Sequence, residues 1–390
     1  MPNFIAKKCK NLTLPFEKDG VKFLNLLKGR KVDFILTRAN EELFFVTVKK
    51  KDDAYLFKGE KLTRPAKVGL LQKALEILRD EFCSEILNNS INFNKNSLTK
   101  NSSIIMSELE AIKALNGREK IAIEIGFGSG RHLLYRAKNE LDKLFVGIEI
   151  YKPSIEQVAK LAIKQNIENL VLVNSDARTF IDLVGSNLVD TIYVHFPVPW
   201  DDSPHRRVIS GEFMSEIQRI LKVGGTFELR SDSRAYVDYS LIKFLDMDGV
   251  SIKVHKNRDL EISSKYEDRW KKQLKDIYDV WLKNLVKSGE KSWKDRLKFD
   301  ILDINLVKQN FRHKVTKFSD FFLNFEEIYE FDSGELLIKL SFGAFDTPGN
   351  YFIKISKDKT EYFIAKPLPT DMNLKAHEKV KEQLAKWQIL

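Results

Sequence analysis

Between residues 121 and 257, short apolar runs alternate with amphipathic stretches. The run Ile121-Ala-Ile-Glu-Ile125 passes into Gly126-Phe-Gly-Ser-Gly130, and residues 131–138 after it show helical spacing. A second run closes at Gly147-Ile-Glu149, and a third closes at Ser175-Asp176. A fourth, residues 191–196, enters Pro197-Val-Pro-Trp200. Helices are predicted over 153–165, where Pro153 suits the first turn, and over 212–222, where Gly224-Gly225 suits the exit. Strands alternating with helices in this way predict a doubly wound, Rossmann-like, mostly parallel sheet with helices on both faces. In such a sheet the four closing points lie at one end.

The flanks follow another rhythm. Residues 32–37, 43–48 and 54–58 read as strands, and a helix is predicted over 67–87 from the spacing of Val68, Leu71, Leu75 and Leu78. The Asn- and Ser-rich segment 88–103 reads as a linker. At the other end, 335–345, 351–356 and 362–365 read as strands around a turn at 346–349, followed by a helix over 372–387. Laid over one another without gaps, Phe45-Val-Thr-Val48 matches Phe352-Ile-Lys-Ile355, Tyr55-Leu-Phe57 matches Tyr362-Phe-Ile364, and Thr63 matches Thr370. The expectation is therefore two related β-β-β-α units, one arrangement being for them to pack together. The predicted domains are 1–100, a β-rich unit with a helix; 101–300, the central α/β domain; and 301–390, a second β-rich unit with a helix.

A chain of 390 residues that is 43% hydrophobic and 11% aromatic can bury more than one core. Its 65 Lys and Arg against 55 Asp and Glu leave a formal charge of +10, which favours polyanionic partners. Cys9 and Cys83 are far apart in sequence and lack metal-ligand spacing, so neither a disulfide framework nor a metal site is expected, and a reducing cytoplasm fits. Lys7, Lys8 and Lys10 precede no apolar run of signal-peptide length, and no segment has membrane-spanning length.

The glycine loop at Gly126, Gly128 and Gly130 allows a tight turn and close approach of a ligand to the backbone, with helix N–H groups beyond it. A dinucleotide fingerprint needs a further glycine where Arg131 stands, which weakens the NAD reading. Glu124 would repel a pyrophosphate but suits an α-ammonium group. Glu149 is placed for ribose hydroxyls in NAD or S-adenosylmethionine sites alike, and Asp176, beside Ala177, for an adenine amino group. Taken singly, each is an ordinary strand-end carboxylate. At three successive strand ends, together they favour S-adenosylmethionine as cofactor.

After the fourth strand, two prolines fix a loop beside Trp200, whose indole can stack on a base. His205, Arg206 and Arg207 form a cation cluster suited to phosphate oxygens. A rigid loop with a core tryptophan and a solvated basic turn is the plainer alternative.

These residues resemble the bacterial tRNA (guanine-N7)-methyltransferase family. The likeness rests on the glycine loop, Gly147-Ile-Glu149, Asp176-Ala177, Phe196-Pro-x-Pro-Trp200, His-Arg-Arg at 205–207, Ser231-Asp232 with Tyr236, and Ser264-Lys-Tyr-Glu267 with Arg269, within about residues 120–285. It implies a class I methyltransferase fold, flanked here by small α+β units. It also implies S-adenosylmethionine contacts by Glu124, Glu149 and Asp176, tRNA contacts by Asp232, Ser264, Lys265, Tyr266 and Glu267, and action on guanine 46 of the variable loop. Val198 stands where the family has its catalytic Asp, and Asp202 where a lysine would fall. Guanine N7 carries a lone pair and no proton, so placement counts for more than a general base. Asp232 and Glu267 are the expected acid contacts, with Asp201 or Asp202 compensating for the missing one.

Between 265 and 298, eleven Lys and Arg residues are interleaved with Trp270, Trp281 and Trp293, a pattern suited to RNA; an amphipathic helix with Trp281 as a core anchor is the alternative. Lys49-Lys50-Lys51 adds a second basic patch. Two rivals compete with the tRNA methyltransferase reading. One is a catalytically silent tRNA-binding protein. The other is an enzyme of another kind, either a nucleotide-binding oxidoreductase or a methyltransferase for amines or small molecules, which the basic surface and Ser-Lys-Tyr-Glu argue against.

Overall fold

Alternation of buried and exposed positions begins with the first strands of the chain. The computed structural model describes residues 2–65, 67–91, 103–259, 275–291, 297–345 and 348–389. The N-terminal elements are β1 (Asn3–Cys9), β2 (Phe16–Lys18), β3 (Val21–Leu27), β4 (Asp33–Ala39), β5 (Glu42–Lys51), β6 (Ala54–Gly59), helix α1 (Val68–Phe82) and β7 (Cys83–Asn89). They form an antiparallel sheet of order β2-β3-β4-β5-β6-β1-β7. The helix expected to reach residue 87 stops at Phe82, because 83–89 lose the apolar stripe and pair with β1 instead. That pairing sets Cys9 opposite Cys83, with 3.0 Å between the Sγ atoms.

The central unit runs β8 (Ile105–Met106), α2 (Glu108–Leu115), β9 (Ile121–Ile125), α3 (Arg131–Asn139), β10 (Leu144–Glu149), α4 (Lys152–Lys164), β11 (Leu170–Asn174) and α5 (Ala177–Leu183). It continues with β12 (Val189–His195), α6 (Gly211–Ile220), β13 (Leu221–Ser231), α7 (Arg234–Leu245), β14 (Val250–Lys256) and β15 (Tyr278–Asn284). The sheet order is β14-β15-β13-β12-β9-β10-β11-β8, with β15 antiparallel to both neighbours and the remaining pairs parallel. Ile121, Ile123 and Ile125 face one apolar core, while Ala122 faces a second core that includes α3 and α4 residues. The strand order reverses between β9 and β12, the point at which such sheets open a crevice at their carboxyl edge.

Two elements differ from expectation. Gly224 and Gly225 lie inside β13 rather than at the end of α6, where the β12–β13 register breaks. Gly224 has φ +85°, and a Cβ on Gly225 would sit 3.0 Å from the Lys222 carbonyl oxygen, so the glycines serve the bulge. Trp281 lies on β15, not on a helix, because 278–284 pair antiparallel with β13 on one side and β14 on the other.

Toward the C-terminus come α8 (Ile304–Asn310), β16 (Lys314–Lys317), β17 (Phe321–Glu330), β18 (Leu336–Ala344), β19 (Gly349–Ile355), β20 (Thr360–Tyr362) and α9 (Asp371–Lys386), the strands in simple meander order. The strand order β2 to β6 recurs in β16 to β20. A bulge also recurs at the matching rung: Phe23 and Asn25 pair with Thr37 and Leu36, and Phe325 and Glu327 pair with Leu340 and Lys339. Thr37 then pairs with Phe44 and Leu340 with Tyr351, which extends the alignment of Phe45 with Phe352.

These two stretches, Met1–Ser97 and Trp293–Leu390, form one compact unit, and Leu98–Ser292 forms the other, instead of three separate domains. The physical reason is a shared core of Leu27, Phe34, Leu36 and Phe45 with Tyr329, Phe331, Leu337 and Phe352. Phe45 meets its counterpart Phe352 at 5.2 Å between ring centres, as equivalent positions do across a two-fold interface.

Candidate active site

Parallel pairing of β9 to β13 brings their carboxyl ends to one edge of the central sheet. A cavity of about 500 Å³ opens there, a size suited to a small-molecule ligand. Its walls include Gly126, Gly128, Glu149, Asp176 and Ala177 from one side, and Pro197–Trp200 residues, Arg206 and Asp232 from the other.

The glycine loop takes left-handed angles at Gly126, Gly128 and Gly130. A Cβ on Gly126 would meet nothing within 4 Å, so that face of the loop is open. Gly130 instead lies tight against Val158 of α4, where a side chain would collide. Glu149 is held at the rim by three backbone donors: Gly128 N–H to Oε2 at 3.1 Å, and Ile150 and Tyr151 N–H to Oε1 at 2.9 and 3.0 Å. Asp176 caps α5, accepting from Arg178 N at 2.8 Å and from the Arg178 guanidinium at 2.9 Å. Burial pushes its carboxyl up, but the Arg178 contacts outweigh that and hold it below the usual carboxylate range.

Glu124 does not line the cavity. It shares the inner face of β9 with Ala122 beneath α3, is 3% exposed, and its Oε2 lies 2.7 Å from His132 Nδ1. It lies behind His132, whose ring meets that of the cavity-lining His195 at 4.5 Å.

The proline loop is held in a strained form, with φ +51° at Phe196 and +46° at Trp200. Arg207 fixes it: Nε donates to the Pro199 carbonyl at 2.7 Å, the guanidinium covers the Tyr239 and Tyr236 rings, and Asp201 lies 3.4 Å away. Arg207 is buried and clamps the loop, so its position differs from the phosphate contact expected of it. Arg206 is exposed and stacks on Trp200, its guanidinium carbon 3.8 Å from the ring centre. The side chain of His205 lies outside the described residues. Val198 is 60% exposed on the cavity wall, and Asp201 and Asp202 are exposed beyond it. Asp232 lines the cavity and meets Lys275 Nζ at 3.1 Å. Ser264, Lys265, Tyr266, Glu267 and Arg269 fall outside the described residues.

Sequence reading missed three participants. Arg178 lines the cavity and organises Asp176. Ile150 offers an apolar rim, 74% exposed. His195, immediately before the proline loop, also lines the cavity, and its Nε2 lies 3.1 Å from Glu228, which accepts from Trp281 Nε1 at 2.7 Å. Burial pushes the Glu228 carboxyl up, but His195 and Trp281 outweigh it and hold the group at about 2. A histidine inside an apolar strand end was the available signal. Among the described residues no cluster of His, Cys, Asp and Glu could hold a metal ion, and no helix is long and apolar enough to cross a membrane.

A doubly wound sheet with a glycine loop after its first central strand, an acid closing the second and a cavity at the reversal has the class I methyltransferase fold. Residues 118–280 match the family described as putative methyltransferase. The tRNA (guanine-N(7)-)-methyltransferase of Campylobacter jejuni subsp. jejuni serotype O:23/36 is 44% identical over 391 residues, covering 98% of this chain and 98% of that one. Its counterpart from Wolinella succinogenes is 34% identical over 398 residues, covering 99% and 100%. The chain belongs to the tRNA (guanine-N7)-methyltransferase family. The similarity spans both outer stretches, which the motif resemblance had left aside. Among solved structures, an antibiotic-related methyltransferase aligns with TM-score 0.35 and 19% identity, covering 48% of this chain and 95% of that one.

Proposed function

We propose that this protein transfers a methyl group from S-adenosylmethionine to N7 of guanine in tRNA, at position 46 of the variable loop. One observation carries the reading: the glycine loop with Glu149 and Asp176, and the proline loop with Asp232, line the same cavity. Donor and acceptor sides therefore share one space. The residues fit the donor, because Gly126 leaves the loop face clear and the Glu149 carboxylate is already oriented by backbone N–H groups. When bound, the donor supplies an electrophilic methyl group.

The chain's own residues then have positioning roles. Glu149 takes the ribose hydroxyls, and Asp176 and Ala177 the adenine edge. Glu124, paired with His132, holds the α-ammonium group directly or through water. Asp232 accepts from the N1–H and N2–H₂ groups of guanine, its orientation set by Lys275, and Glu267 shares that task. With no proton on N7, no base is required, which accommodates Val198. Asp201, steadied by Arg207, or Asp202 compensates for the absent carboxylate. Arg206, Trp200, His205, Ser264, Lys265, Tyr266 and Arg269 contact the RNA, and exposed Lys49, Lys50 and Lys51 extend the grip.

The test is radiolabelled methyl transfer to unmodified tRNA, followed by nucleoside analysis. 7-Methylguanosine is expected with wild-type tRNA and is lost when guanine 46 is replaced. Asp232→Ala is expected to slow transfer at least tenfold with the fold intact. Because the outer stretches share a core, Lys49, Lys50 and Lys51→Ala is a better probe of RNA contact than truncation; a shallower salt dependence of binding is expected.

Val198 supports a second reading, a tRNA-binding protein without turnover. Binding of tRNA and donor with no methylated nucleoside would select it.

A further inference from the structure

We infer that Cys9 and Cys83 form a redox modification site in the outer unit, a dithiol that a hydroperoxide converts to an intramolecular disulfide. The two cysteines are 74 residues apart in sequence, yet they are direct partners in the β1–β7 ladder, with their sulfurs 3.0 Å apart. Forming the bond requires no rearrangement of the sheet, because both residues already occupy opposed positions on paired strands. They are free thiols and half-buried.

The surroundings make the two sulfurs unequal. Cys9 lines an open cavity of about 170 Å³ together with Lys10, Asn11, Lys28 and Phe82, so a small oxidant has a way in; Cys83 does not line it. The hydrogen bond between the two sulfurs lowers the Cys9 thiol from its ordinary value, while the same bond, followed by burial, pushes Cys83 up. Lys10, exposed, lines the same cavity. Cys9 is thus the attacking group and Cys83 the resolving one.

The chemistry balances in two steps. The Cys9 thiolate attacks a peroxide oxygen, the O–O bond breaks, and a sulfenic acid forms with release of water or an alcohol. The Cys83 sulfur then attacks that sulfenic sulfur, expelling a second water. The two thiols lose two electrons and the hydroperoxide gains them. A low-molecular-weight thiol reverses the change by exchange. The product closes a covalent loop around the meander and α1, which constrains the unfolded chain.

The test uses the full-length protein, reduced and then exposed to stoichiometric hydrogen peroxide. The expected result is a fall in intact mass by two hydrogen atoms, simultaneous loss of both alkylatable thiols, and full reversal by dithiothreitol. The oxidised form is expected to unfold about 5–15 °C higher. Cys83→Ser should stop at a Cys9 sulfenic acid captured by dimedone, while Cys9→Ser should leave Cys83 unreacted over the same time; circular dichroism verifies that both variants fold. A gain of oxygen atoms in the wild type with the thiols alkylated independently would overturn the proposal. So would equal reaction of Cys83 in Cys9→Ser.

Discussion

The central sheet and the core joining the outer stretches bury different chemistry. Around the carboxyl edge of the central sheet lie Glu124 with His132, Glu228 with His195 and Trp281, and Arg230 with Asp279, the last pair fully buried. Where the outer stretches meet, the buried side chains are Leu, Phe and Tyr. Buried ion pairs rarely gain stability over apolar packing, whereas buried charges in a cleft are typical of chemistry. One region is built to hold two related sheets together and the other to hold polar groups in fixed directions.

Breaking the polar region should have the largest effect. Arg230→Met leaves Asp279, whose carboxyl burial already pushes up despite Arg230, without its cation; a loss of about 3–5 kcal/mol in urea unfolding is expected, with Asp279→Leu added to it restoring much of the loss. A complete absence of recovery would mean that the pair, not its burial, carries the stability. Next, Leu337→Ala in the shared core should cost about 2–5 kcal/mol in the same assay, while leaving donor affinity near wild type. A smaller effect, about 1.5–3 kcal/mol, is expected for Glu149→Ala in calorimetric donor binding, since it removes a charged acceptor from the rim. This change should leave the outer unit's unfolding untouched.

The smallest effect concerns His377 in the outer unit, fully buried between the Tyr362 hydroxyl at Nδ1 and the Lys298 carbonyl at Nε2. Burial lowers its imidazole below the ordinary 6.5, so the folded state disfavours the cation. Its stabilising contribution is therefore complete above pH 6.5 and is lost as pH falls through the lower folded value. His377→Gln should flatten the corresponding slope in thermal unfolding between pH 7 and mildly acidic pH. An unchanged slope would assign it to other groups.

Motifs revealed where chemistry would gather, but not which way each side chain turns. Glu149 and Asp176 could be placed from their positions closing apolar runs, because a strand end in a parallel sheet has only one edge to reach. Glu124 could not, since its burial against His132 depends on how α3 packs over β9. Arg207 reads as an RNA contact in sequence, yet two tyrosines of α7 and a carbonyl eight residues earlier bury it. His195 gave a faint signal; of its partners, Glu228 on β13 gave none, and Trp281 on β15 was legible only as an RNA contact or a helical core anchor.

By itself the sequence determined the doubly wound central sheet, the glycine loop, the proline loop and the kinship of the two outer stretches, because periodicity, turn residues and local spacing act within a few residues. Tertiary structure alone decided that those stretches share one aromatic core, that a predicted helix end becomes a strand, and that two distant cysteines touch. Such outcomes depend on pairing between segments tens to hundreds of residues apart, where register and burial, not local preference, set the lower free energy.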